Sequence, residues 1–214
     1  MQIGLNFGEW VDKLTRRLAQ PLPGPLAHNA MRATFIGALK PNFEHKLPPK
    51  PGSVLILLYP YLDAIQFPLT LRADYLGTHS GQVSLPGGKA EPGEDYKTTA
   101  LRECEEEIGV NRADIEVIGR LSDFFVMPSN FMVAPVVGIC RARPEFKADP
   151  VEVVKILVGD VADLLRPDAI RQKEILAAKQ FRMLAPHFEI DGEVVWGATA
   201  MMLNEFRTIL FEII

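Results

Sequence analysis

Between Arg102 and Val110 the chain reads Arg-Glu-Cys-Glu-Glu-Glu-Ile-Gly-Val, with four glutamates in the five positions 103–107. On a helix, at about 100° per residue, Glu103, Glu106 and Glu107 share an arc of roughly 100°. Leu101, Cys104 and Ile108 cluster on the opposite side, so one face suits a core and the other carries negative charge. Like charges at i,i+3 and i,i+4 cost roughly 0.2–0.5 kcal/mol each, and no lysine stands among these glutamates to offset the repulsion. A bound cation would offset it. Convergent carboxylate oxygens without His or Cys ligands suit a hard divalent ion, Mg2+ or Mn2+, rather than zinc. A glutamate run also fits a solvated helix face, and the flanking residues decide between the two.

The helix is preceded by Pro86-Gly87-Gly88-Lys89-Ala90-Glu91-Pro92-Gly93-Glu94, a loop whose glycines allow close backbone approach and a sharp entry. Gly109 stands where a left-handed cap ends a helix. From Gly88 the pattern runs Gly, five residues, Glu94, seven residues, Arg102-Glu103, an apolar position, Glu105-Glu106-Glu107, one residue, Gly109 and Val110. This pattern resembles the complete Nudix box.

The resemblance implies the Nudix fold, an α/β/α sandwich with a mixed β-sheet, in which this loop and helix position a metal for attack of water at phosphorus. It implies Glu103 and Glu107 as metal ligands, with Glu106 close behind and the backbone carbonyl of Gly88 as an extra. Glu103, Glu106 and Glu107 are thereby the candidate catalytic residues, with Glu103 or Glu106, or Glu152 from outside the box, as the candidate base. Glu94, Arg102, Gly88 and Gly109 form the structural frame of the box. Its implied substrate is a small molecule containing a nucleotide.

Outside the box, residues 50 to 200 are similar to the coenzyme A pyrophosphatase branch of the Nudix proteins. The similarity is carried by Leu69-Thr70-Leu71-Arg72-Ala73, His79 to Gly88, Pro128-Ser129-Asn130, Pro135-Val136-Val137-Gly138 and Trp196-Gly197-Ala198-Thr199-Ala200. It implies cleavage of coenzyme A or acyl-CoA to 3′,5′-ADP and a 4′-phosphopantetheine product. Gly77 stands where that branch usually has arginine, and Leu85 where it usually has phenylalanine. Arginine makes bidentate phosphate contacts that glycine cannot, so ADP-ribose and dinucleoside polyphosphates stay open as substrates. Arg72 and His79 are the candidate substrate contacts, Arg72 for the 3′-phosphate. A nucleotide-binding module without catalysis is the reading from another class, and one free to lose the very glutamates this chain keeps. Phe124, Phe125 and Phe131 fit a ligand pocket or simple core packing.

These residues need a scaffold. Apolar Phe7, Trp10, Val11, Leu14 and Leu18 recur at helical spacing, and Pro21, Pro23, Gly24 and Pro25 then stop that helix. Strands are expected at Ser53–Tyr59, Pro68–Arg72, Ile115–Leu121, Met132–Cys140 and Val151–Val158, with a hairpin from His187 to Trp196 turning at Asp191-Gly192. Further helices are expected near Tyr96–Glu107, Val161–Leu165 and Ala198–Ile213. The expected division is an N-terminal helical extension, 1–47, and a Nudix domain, 48–214, of α/β class.

The 214 residues are 48% hydrophobic and 23% charged, enough for one sizeable core. A formal charge of -4 offers no basic field for a nucleic acid polymer. Cys104 and Cys140 lie outside any CxxC or zinc spacing and read as reduced, buried thiols. The charged residues within Met1–Gln20 break any secretory signal, no run reaches membrane-spanning length, and the terminal Phe-Glu-Ile-Ile is not a peroxisomal address. A cytoplasmic protein without a membrane partner, able to form a homodimer, is the expectation.

Overall fold

A computed structural model describes residues 6–37, 41–73, 81–178 and 180–214. In chain order its helices are α1 (Phe7–Leu18), α2 (Pro25–Asn29), α3 (Tyr96–Ile108), α4 (Val161–Leu164) and α5 (Gly197–Phe211). The strands are β1 (Thr34–Phe35), β2 (Lys50–Tyr61), β3 (Ala64–Arg72), β4 (Val83–Ser84), β5 (Gly87–Lys89), β6 (Glu116–Arg120), β7 (Phe124–Val126), β8 (Phe131–Ile139), β9 (Val153–Asp160), β10 (Arg171–Ala177), β11 (Phe181–Ile190) and β12 (Glu193–Val195).

The larger sheet runs β4-β3-β2-β8-β6, with β5 on β2, β7 on β8 and β9 on β3. It is mixed, because β2 and β8 pair in parallel from Lys50↔Phe131 to Leu58↔Ile139 while its other pairs are antiparallel. A smaller sheet joins β1 and β10 to β11, with β12 completing the hairpin. That hairpin turns at Asp191 and Gly192, whose φ values of 51° and 82° are those of a tight Asp-Gly turn.

Helices cover both faces of the larger sheet, and β2 shows why. Its run from Ser53 to Tyr59 is apolar throughout apart from Ser53, as a strand buried on both faces must be. Leu55, Leu57 and Tyr59 pack with Ala100, Cys104 and Ile108 of α3. The alternate residues Ile56 and Leu58 enter a second core with Trp10 and Leu14 of α1 and Leu203 and Phe206 of α5. The architecture is therefore α/β, with α1 docked in the same core as the sheet. No helix among the described residues is long and apolar enough to cross a membrane.

The stretch after α1 does more than stop it. Pro25 opens α2, where its missing N–H leaves nothing unsatisfied. A fully buried acid then fastens this stretch to α5. Glu205 accepts from the Gly24 N–H at 3.0 Å and the Ser122 hydroxyl at 2.6 Å, and stands 2.8 Å from His28 Nε2. Burial alone would push its carboxyl up, but the bonds to His28, Ser122 and Gly24 outweigh that and hold it below the usual carboxylate range. Replacing Glu205 by Ala leaves buried donors and His28 unpaired, so urea unfolding should show a loss of about 3 kcal/mol or more. A loss below about 1 kcal/mol would mean the cluster does not tie α2 to α5.

Candidate active site

The acidic helix is fixed at both ends before its glutamates do anything. At its start the Asp95 side chain accepts from the Thr98 N–H at 2.7 Å, an N-cap that satisfies one of the free donors of the first turn. At its end Gly109 adopts φ 73° and returns its N–H to the Glu105 carbonyl at 2.9 Å. A side chain there would meet Lys147, so glycine is required twice over, for conformation and for space. The apolar face, through Cys104 and Ile108, anchors α3 on β2.

With the helix fixed, Glu103 and Glu107 point at the glycine loop. A Cβ on Gly88 would stand 2.5 Å from the Glu103 carboxyl carbon and both its oxygens. Gly87 donates its N–H to Glu107 Oε2 at 3.1 Å. Glu107 is only 2% exposed, and its other oxygen accepts from Arg72 Nη1 at 3.0 Å. Burial pushes the Glu107 carboxyl up to about 7, against the opposing pull of Arg72 and the Gly87 N–H and with a further push from Glu103 and Glu152. Burial likewise raises Glu103, which Arg102 partly counteracts.

Arg102 binds Glu94 through two bonds, Nε to Oε1 at 2.7 Å and Nη2 to Oε2 at 3.0 Å, and reaches the Lys89 carbonyl at 3.0 Å. Its remaining nitrogen donates to Glu103 and Glu106 at 2.9 Å each. The Arg102 hydrogen bonds and the Glu91 N–H hold the Glu94 carboxyl down at about 2. The pair thus ties the loop to α3. Glu106 lies outermost, its side chain 58% exposed.

The expected residues fall in three places. Glu103, Glu107 and Gly88 meet at the loop, while Glu106 stands on the solvent side of Arg102. Arg72 reaches the same centre from the end of β3, and Glu152 joins it there at 3.7 Å from Arg72 Nη2. His79 lies outside the described residues, as does Gly77. Phe124 packs edge-on against His28 and toward the core, whereas Phe125 stays partly open. Reading the sequence missed the Gly87 N–H on Glu107 and the coupling of Glu152 to Arg72. The glycine pair was a visible signal for the first, and only the strand pairing of β3 with β9 reveals the second.

Among the described residues no three His, Cys, Asp or Glu side chains converge into a ready cage for a metal. The donor chemistry nevertheless fits a hard divalent cation. Two carboxylates whose pKa values burial raises flank the glycine pair, Glu103 filling the space where a Cβ on Gly88 would stand and Glu107 accepting from the Gly87 N–H. Glu103, Glu107 and the Gly88 carbonyl are the groups able to hold it.

An acid whose folded pKa lies at about 7 against an ordinary 4.5 favours the fold while protonated. That contribution is complete below pH 4.5 and is lost as pH rises through 7. In the presence of a chelator, Glu107→Gln should therefore be as stable as the wild type at pH 4 and more stable by about 3 kcal/mol at pH 8. Denaturant unfolding at the two pH values measures this, and a difference independent of pH would contradict the buried-acid account.

The family model described as the NUDIX domain matches residues 53–185. Nudix hydrolase 22, chloroplastic, of Arabidopsis thaliana is 34% identical over 186 residues, covering 84% of this chain and 61% of the relative. An uncharacterized Nudix hydrolase NudL of Yersinia enterocolitica is 28% identical over 205 residues, covering 95% of this chain and 92% of the relative. The chain spans about three fifths of the length of the two plant relatives it matches, 61% and 60%. A Nudix hydrolase from M. smegmatis, RenU, shares the fold with a TM-score of 0.50 at 14% identity, over 78% of this chain and 90% of that one. With the loop, the helix and its glutamates in place on an α/β scaffold, the chain belongs to the Nudix family.

Proposed function

We propose that this chain is a metal-dependent pyrophosphohydrolase that uses Mg2+ or Mn2+ and cleaves coenzyme A or acyl-CoA to 3′,5′-ADP and (acyl-)4′-phosphopantetheine. The observation that carries the hydrolase reading is the buried Glu107 carboxylate beside Glu103 at the Gly87-Gly88 loop. Membership of a family of named hydrolases supports it. The coenzyme A assignment rests on the branch motifs in the sequence. Residues 48–214 are read as the Nudix domain and 1–47 as a helical extension packed on it.

In this reading Glu103, Glu107 and the Gly88 carbonyl hold the metal, with Glu106 completing the set from the solvent side. The ion supplies charge neutralisation on the diphosphate and a lowered pKa for attacking water. The chain's own part is positional. Arg102, held by Glu94, fixes the rotamers of Glu103 and Glu106. The Gly87 N–H fixes Glu107. In this reading Glu106 and Glu152, the two exposed carboxylates of the cluster, would accept the proton of the attacking water.

Chromatography of products from CoA, acyl-CoAs, ADP-ribose and diadenosine polyphosphates with Mg2+ or Mn2+ tests the substrate. CoA should be cut at its diphosphate, and dephospho-CoA should react with a kcat/KM lower by roughly ten- to a hundredfold if the 3′-phosphate is bound through a charge-assisted contact. Turnover of ADP-ribose with CoA inert would move the assignment to another nucleoside diphosphate derivative. Glu107→Gln should lower kcat on the order of a hundredfold or more, and millimolar Mg2+ should raise the melting temperature of the wild type but not of Glu103→Gln. Metal-independent turnover, or near-normal kcat in Glu107→Gln, would remove the site assignment.

A further inference from the structure

Two arginines serve the acid cluster, and they are held very differently. Arg102 makes five hydrogen bonds, to Glu94, Lys89, Glu103 and Glu106, and its side chain is 12% exposed. Losing one carboxylate would leave it in place. Arg72 is 29% exposed, and among the described residues its guanidinium has one hydrogen bond, to Glu107 Oε1 at 3.0 Å, and one longer ion pair, to Glu152 at 3.7 Å. Its backbone is secured by its N–H to the Gln82 carbonyl at 3.1 Å. The register of β3 against β9 shifts between Leu71 and Arg72, an irregularity of the kind that re-aims a side chain. Arg72 thus combines a fixed root with a loosely held head.

That head sits on an oxygen the metal would need. A buried carboxylate requires a counter-charge, and Arg72 supplies it to Glu107 in the protein without metal. A divalent ion bound to the same carboxylate supplies the charge twice over, and the guanidinium then faces a cation instead of an anion. We propose that Arg72 is the resident counter-ion of the metal-free site, and that cation binding at Glu107 releases it to the diphosphate of the substrate, which lies at this centre, rather than to a remote 3′-phosphate. The proposal rests on the metal-site reading given above. It makes metal and Arg72 competitors before substrate arrives and partners afterwards.

A permanent strut would behave otherwise, since losing it would disorder Glu107 and weaken both ligands. Calorimetric titration separates the two. Mn2+ should bind Arg72→Gln roughly tenfold tighter than the wild type, and methylenediphosphonate should bind the Mn2+-loaded variant roughly tenfold more weakly. Arg72→Lys keeps a counter-charge for folding but lacks the fork, so it should show both changes in the same directions at roughly threefold. Mn2+ affinity unchanged or weakened in both variants overturns the exchange. If the wild type meanwhile binds Mn2+ and Glu103→Gln does not, the metal site itself stands. A wild type that binds no Mn2+ removes the site and the exchange together.

Discussion

A carboxylate is expensive to bury, and the site is arranged around the burial of one. Glu107 is nearly closed off from water with Glu103 one helical turn before it, and burial raises the pKa of both, with Glu103 adding to the rise at Glu107. The surrounding sequence is largely the set of conditions under which that arrangement can persist. The chain facing these oxygens must come close and offer an N–H, which only glycine at 87 and 88 allows. A side chain on Gly87 would run into the backbone of Ser53 and Val54, and one on Gly88 into Glu103 itself. The helix must not rotate, because 100° of rotation would turn the acids from the loop to solvent. Asp95 and Gly109 fix its ends, and Cys104 and Ile108 fix its face.

Charge is balanced in two tiers with different mobility. Glu94 exists to hold Arg102: its carboxyl is kept ionised by two bonds from the guanidinium, which then spans Glu103 and Glu106. This inner frame is saturated and has no charge to give. Among the described residues the cationic partners of Glu103, Glu106, Glu107 and Glu152 are Arg102 and Arg72 alone, so the open side keeps an excess of negative charge. That excess is what a divalent ion would neutralise; in the protein without metal, burial, with a smaller push from Glu103 and Glu152, holds the Glu107 carboxyl up at about 7.

Much of this was legible in the sequence because it is local. The helical period over Phe7–Leu18 and Tyr96–Ile108 marks both helices to within a residue, and the turn at Asp191-Gly192 marks its hairpin. The apolar run of β2 marks a strand with two covered faces. What escaped is either non-local or unpatterned. Arg72 and Glu107 are 35 residues apart and meet only because β3 ends over the loop. β10 carries exposed Arg171, Gln172, Lys173 and Glu174, so no alternation announces a strand that is held by its ladder to β11. Glu205 looks like any acid on a helix until its partners from residues 24, 28 and 122 are known.

Three of the motifs that suggested coenzyme A each hold a residue occupied with the scaffold. Thr199 donates to the Val83 carbonyl at 3.0 Å and so joins the start of α5 to β4. Asn130 takes a left-handed conformation and its amide reaches the Leu47 and Pro48 carbonyls, fastening the chain that leads into β2. Gly138 leaves room for Ile115 and Leu55, which a Cβ would meet at 2.9 and 3.2 Å. Residues committed to such tasks specify how the sheet and helices fit. Arg72, which belongs to another of these motifs, instead faces the open side of the acid cluster beside Glu152. On the proposed reading, substitutions on that open side would alter substrate choice without disturbing the fold that carries it.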